Sequence, residues 1–95
     1  MEKFRVSAFD EFFEAVLKLN QIEDCRKFFE DVCTIKELQD ISQRLEVATL
    51  LKEGNNYQEV SKITGASTAT ICRVNKCLNY GTGGYSLVLD NKEKK

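Results

Sequence analysis

Between residues 6 and 54 apolar side chains recur every three to four positions with polar ones between, the period of helices with one wet face. Ala8, Phe9, Phe12, Phe13, Val16, Leu17 and Leu19 form a broad stripe that predicts a helix over 6–19. Asp10, Glu11 and Glu14 lie near its start, where they suit the positive end of the helix dipole. Asn20 reads as a cap, and a second helix over 21–32 turns Ile22, Cys25, Phe28, Phe29 and Val32 inward. Thr34-Ile35-Lys36-Glu37 is a capping box, in which the threonine caps forward and the glutamate reaches back. It opens the longest helix, over 35–53, which Gly54 closes. Leu38, Ile41, Leu45, Ala48 and Leu51 run along one side of it, and Val47 and Leu50 widen the stripe.

After the turn at Asn55 and Asn56 the pattern shortens. Residues 57–64 predict a two-turn helix with Val60 and Ile63 on one face and the small Ser61 where two helices cross closely. Gly65 lets that helix end and the chain swing away. Ser67 is a good N-cap for a second helix to residue 79, whose Ile71, Val74 and Leu78 face inward. Its other face shows Thr68, Ala69, Cys72, Arg73 and Lys76. Two short helices about a tight turn, the second exposing small hydroxylated and cationic side chains, make the helix-turn-helix plan, which offers its second helix to the DNA major groove. A hairpin that only packs is the blander alternative. Residues 80–84 form a glycine-bearing break, 84–90 a short closing helix, and the ends, 1–5 and 91–95, a loose arm and a charged mobile tail.

Ninety-five residues without a proline, rich in helix formers and free of strand alternation, suit a single all-α domain of about five to six helices. No basic-then-apolar leader and no membrane-length apolar run is present, so a cytoplasmic location is expected. Cys25, Cys33, Cys72 and Cys77 fall inside helical patterns with no histidine and no C-x-x-C spacing, which argues against zinc and for buried, reduced thiols. Nor is there a nucleophile or acid pair in a recognisable catalytic motif, so no enzyme and no fixed cofactor is expected.

Charge narrows the picture further. Residues 1–56 carry twelve acids against eight bases, whereas residues 57–80 carry only Glu59 against Lys62, Arg73 and Lys76. The basic excess therefore lies on the DNA-reading candidate, and two copies would double it. A second chain is also the simplest cover for Phe9, Phe12, Phe13, Phe28 and Phe29, since each buried phenylalanine contributes about 1.5–3 kcal/mol. The alternative is a monomer that folds its own N-terminal hairpin back. On the dimer reading, residues 6–33 dimerise, 34–54 form the central helix and 57–79 read DNA.

With these features in view the chain resembles the Trp repressor family, above all its small members of unassigned ligand. The likeness covers about residues 25–80, most clearly Arg44 to Gly54 and Gly65-Ala66 through Ala69-Thr70-Ile71-Cys72-Arg73. It implies an all-helical intertwined dimer whose N-terminal helices wrap the partner. It also implies an effector pocket, with Arg44 and Arg73 flanking an amino-acid-like ligand and Thr34, Thr70 and Cys77 lining it. Two departures concern that pocket. Val74 stands where tryptophan binders keep a glycine that leaves room for the indole, and Cys77 replaces a serine. The chain also has one residue fewer between Gly54 and Gly65. A small effector that need not be tryptophan is therefore expected. Arg44 has an alternative use in a salt bridge to Asp40 or Glu37, and Arg73 in holding a phosphate.

The function expected is a dimeric, sequence-specific DNA-binding regulator, a repressor, with duplex operator DNA as partner. Thr68, Ala69 and Cys72 would face bases, and Ser67, Arg73, Lys76 and Asn79 would hold phosphates. The alternative is a helical dimeric protein-interaction module that does not bind DNA.

Overall fold

In a computed structural model describing residues 6–90, the apolar periodicity becomes six helices: α1 (Val6–Leu17), α2 (Ile22–Val32), α3 (Ile35–Lys52), α4 (Tyr57–Thr64), α5 (Thr68–Tyr80) and α6 (Gly84–Leu89). The expected loose arm, 1–5, and mobile tail, 91–95, lie outside the described residues. The chain divides into two compact units, residues 1–38 and 39–95, with the boundary just inside α3.

In the first unit α1 stops two residues before the predicted end. Lys18 and Leu19 instead donate from their backbone N–H groups to the carbonyls of Ala15 and Val16, tightening the last turn. The residue preceding α2 is Gln21, not Asn20, and its side chain makes no capping bond. Phe12 stacks on Phe28 at 6.0 Å and meets Phe29 edge-on at 6.2 Å. Even so, no described side chain of this unit is buried. Phe9 and Phe13 are more than half exposed, and Ile22 and Val32, expected inward, face out. Two short helices can cover only one stripe of each other, and these carry wider apolar faces than that. The capping box at the start of α3 forms as expected, with Glu37 N–H donating to Thr34 Oγ1 (3.0 Å) and Thr34 N–H to Glu37 Oε1 (2.8 Å).

The second unit has the core. Val47 and Ala48 of α3, Val60 of α4, Ala66 of the turn, and Ile71 and Val74 of α5 are all buried, with Leu50, Leu51, Leu78, Tyr85 and Leu89 packed around them. The α3 stripe is thus split. Val47 and Ala48 seal the joint, while Ile41 and Leu45, expected inward, stay nearly half exposed. Ile63 is a further correction, at 57% exposure. Val60 takes the centre of the joint, and one turn later α4 has reached its rim. Gly54, in the left-handed region at φ 97°, ends α3, and Asn55 returns both its N–H and its side-chain amide to the Leu50 carbonyl. A half-exposed ion pair, Lys52 Nζ to Asp90 Oδ1 at 3.1 Å, ties the end of α6 to α3 and contributes at most about 1 kcal/mol.

Asn56, read from sequence as a turn residue, closes a second capping box. Its Oδ1 accepts from Glu59 N–H at 2.9 Å, and Glu59 Oε1 accepts from Asn56 N–H at 2.9 Å. Asn56→Ala is expected to cost about 1 kcal/mol, lowering the urea midpoint with the slope unchanged. An unmoved midpoint would show that water replaces the cap.

Candidate nucleic-acid interface

What aims α5 is the joint between α4 and α5. Gly65 adopts φ 77°, and its N–H caps α4 on the Ser61 carbonyl at 2.8 Å. A β-carbon there would be strained by the backbone alone. Ser61, predicted only as a small residue at a helix crossing, donates through Oγ to the Ala66 carbonyl at 3.0 Å. Thr64 Oγ1 donates to the Val60 carbonyl (2.8 Å) and accepts from Ala66 N–H (3.0 Å). From α3, Gln43 Nε2 donates to the Thr64 carbonyl at 3.1 Å. That tether spans twenty-one positions of sequence, and periodicity gives no sign of it.

Ser67 caps α5 as expected, its Oγ accepting from Thr70 N–H at 3.1 Å. Ile71 and Val74 then pin one side of the helix to the core, and Leu78 is half-buried below them. Thr68, Ala69, Cys72, Arg73, Lys76 and Asn79 are all exposed, forming one outward arc along a rod about 20 Å long. Tyr80, one residue past the predicted end, extends that arc and is largely exposed. Asn79 is partly committed, its Nδ2 donating to the Asn75 carbonyl at 3.0 Å. No acid lies within α5, and among the described residues no carboxylate pairs with Arg73 or Lys76. The face is therefore small side chains flanked by two unneutralised cations. Groove edges and phosphates suit such a face. The four cysteines are free, but Cys72 and Cys77 are exposed and Cys25 and Cys33 only partly covered, so the expectation of buried thiols fails.

The five effector candidates have different local settings. Thr34 is committed to Glu37, Thr70 to the cap of its own helix, and Arg73 points outward. Arg44 and Cys77 do share a site, an open, largely apolar groove of about 640 Å³ bounded by Ile41, Leu45, Tyr85 and Val88. Arg44 is half-buried there. Val74, 1% exposed, is buried in the core cluster with Val47 and Ala48 of α3. Among the described residues no cluster of side chains could hold a metal ion, no buried side-chain polar atom lacks a partner, and no helix is long and apolar enough to cross a membrane.

Comparison with known proteins bears on the same face. A family model described as Trp repressor protein matches residues 7–93. The uncharacterized protein YerC of Bacillus subtilis (strain 168) is 50% identical over 90 residues, spanning 95% of this chain and 86% of its own length. The crystal structure of a TrpR like protein from Eubacterium eligens ATCC 27750 superposes with a TM-score of 0.89 at 46% identity, covering 95% of this chain and 93% of that one. A second crystal structure, from Staphylococcus aureus, also reaches 0.89 at 44% identity, over 96% of this chain and 91% of its own.

Proposed function

This chain belongs to the Trp repressor family, and from that premise we propose that it is a homodimeric, sequence-specific DNA-binding regulator that represses by occupying its operator. The observation that carries the reading is the two-sidedness of α5. Ile71 and Val74 are sealed into the core while Thr68, Ala69, Cys72, Arg73 and Lys76 stand clear of it. Thr68 and Ala69 suit thymine methyl groups, and the Thr68 hydroxyl serves a donor or an acceptor on a base edge. Ser67, Arg73, Lys76 and Asn79 hold phosphates in this reading. Repression by occlusion asks for nothing beyond occupancy of the site, and the cytoplasm is the location the DNA partner calls for.

The uncovered face of α1 and α2 supports the dimer. Phe13, Leu17 and Ile22 are more than half exposed, a cost that burial against a second copy removes. Two α5 helices related by a twofold axis then enter successive major grooves about 34 Å apart on a near-palindromic site. Selection of bound duplexes from a random pool tests the whole reading. A palindromic consensus is expected, bound by a species of twice the chain mass in sedimentation. Log affinity should fall with log salt by about 0.9 per phosphate neutralised, a slope of roughly four if Arg73 and Lys76 of both copies engage. Recovery of no consensus, with the dimer intact, would favour the protein-interaction alternative.

A further inference from the structure

Tyr80 is the last residue of α5 and lies 83% exposed. At about 100° per residue, the covered side chains Val74, Leu78 and Ile71 stand about 240°, 280° and 300° round the helix axis from Thr68. The outward side is therefore centred near about 90°. Ala69, Tyr80 and Arg73 fall at about 100°, 120° and 140°, which puts the tyrosine well inside the outward arc, between Ala69 and Arg73 on the wheel. Cys77, which lines the groove, is farther round at about 180°. Past Tyr80 the chain leaves this side of the helix. Gly81 donates its N–H to the Cys77 carbonyl at 2.9 Å, and a β-carbon on it would stand 2.5 Å from that same oxygen. Gly81, Thr82 and Gly84 then line the groove with α3 and α6, so the turn leaves the ring uncovered. Asn79, beside it in sequence, commits its side-chain Nδ2 to the Asn75 carbonyl.

We infer that Tyr80 is a phosphate-holding residue of the reader, its hydroxyl donating to a backbone oxygen of the duplex at the lip of the major groove. The inference rests on the DNA-reading proposal and adds a contact to it. Axial distance decides which part of the DNA the ring meets. Thr68 and Tyr80 are twelve positions apart, about 18 Å along a helix. A reader that enters end-first sets its first turn against base edges, and the groove is only about 8.5 Å deep. A side chain that far up the rod has passed the bases and lies level with the sugar–phosphate walls. Its rigid ring has two torsions to fix, so ordering it costs little, and its hydroxyl supplies a donor. A phenol brings no positive charge, so it holds a phosphate without displacing a counterion. Arg73, next to it on the wheel, and Lys76, one turn earlier, bring the charge. Cations at mid-length and an uncharged donor at the far end let a chain of net charge −1 grip a polyanion with few cations.

The test compares the full chain with its Tyr80→Phe and Lys76→Ala variants on the selected operator across a salt series. Tyr80→Phe keeps the ring and removes one hydroxyl per copy, and at so exposed a position it leaves the melting temperature unmoved. It should weaken binding about fivefold to fiftyfold at every salt concentration, its line running parallel to the parent's. Lys76→Ala should instead flatten the slope by about two, one phosphate per copy. Because a phosphate contact carries no sequence information, Tyr80→Phe should select the same consensus as the parent. Single methylphosphonates walked along the operator should reveal one phosphate in each half-site whose neutralisation weakens the parent but not Tyr80→Phe. Affinity unchanged by Tyr80→Phe overturns the inference and leaves the DNA reading standing. So does a consensus altered at any position, which would mean that the tyrosine meets a base. Dissociation of the variant into single chains also overturns it, placing the hydroxyl between copies. A parent that binds no duplex at any salt concentration sinks the DNA reading and this inference together.

Discussion

Replacing Thr68 and Cys72 together with glutamate is expected to reduce affinity for the selected operator by about two to four orders of magnitude, with the melting temperature almost unmoved. Both side chains are exposed and lie on the outward arc of α5, so their exchange disturbs no packing. A carboxylate at Thr68, in the first turn, is mildly favourable to the helix, and one at exposed Cys72 meets no packed neighbour, so the fold has no reason to weaken. Against DNA the sign reverses. Two carboxylates per reader, four per dimer, approach base edges rich in acceptors and the phosphates beside them, where like-charge juxtaposition costs several kcal/mol. Thr68→Ala with Cys72→Ser is the control. It keeps the volume small and adds no charge, so its loss should be modest and confined to some base positions of the site. Affinity that survives the double glutamate would remove this face of α5 from the groove, whatever else the protein binds.

Ile71→Ala is expected to have the largest effect on stability, about 2–4 kcal/mol in a urea titration. Ile71 is among the largest fully buried side chains, at 0% exposure, and sits in the layer with Val47, Val60 and Val74 where α3, α4 and α5 meet. Losing three methyl or methylene groups leaves a cavity that the neighbouring Val side chains, stiff at their first torsion, fill poorly. In a domain whose total stability is about 5–15 kcal/mol this is a large fraction, and operator binding should fall with it because the same layer holds the reader in place. Ile41→Ala makes the contrast. Ile41 is about half exposed in the single chain, so truncation there should cost less than about 1 kcal/mol unless a second copy covers it. An Ile41 cost that rises to rival that of Ile71 would therefore report burial between copies.

Much of the local structure was legible beforehand because it depends on near neighbours. Thr34 and Glu37 form the predicted box, α4 spans the predicted 57–64, and Ser67 caps the helix it was expected to cap. The misses over burial have a longer-range cause. Helical spacing alone could not say which half of the wide α3 stripe is covered, and the sealed half proved to be Val47 and Ala48, not Ile41 and Leu45. Ile63 shares a face with Val60, yet the chain reverses at Gly65 and the core ends before reaching it. Asn56 was one of two asparagines in a turn, and only the observed bonds distinguish the one that caps α4 from the one that closes α3. The effector set illustrates the same limit. Arg44 and Cys77 meet in one groove, whereas Thr34 and Thr70 are drawn into caps and Arg73 turns away.

Sequence by itself determined the helices, the caps at Thr34 and Ser67, the αL turn at Gly65, and the outward row of Thr68, Ala69, Cys72, Arg73 and Lys76, because each follows from residues within four positions of one another. Only the tertiary structure decided that Gln43 reaches the carbonyl of Thr64, and that Arg44 and Cys77 line one apolar groove. Those are questions of which surfaces meet. A helical period tells which side chains share a face, but the free energy that chooses a partner for that face comes from area removed from water by residues far away in the chain.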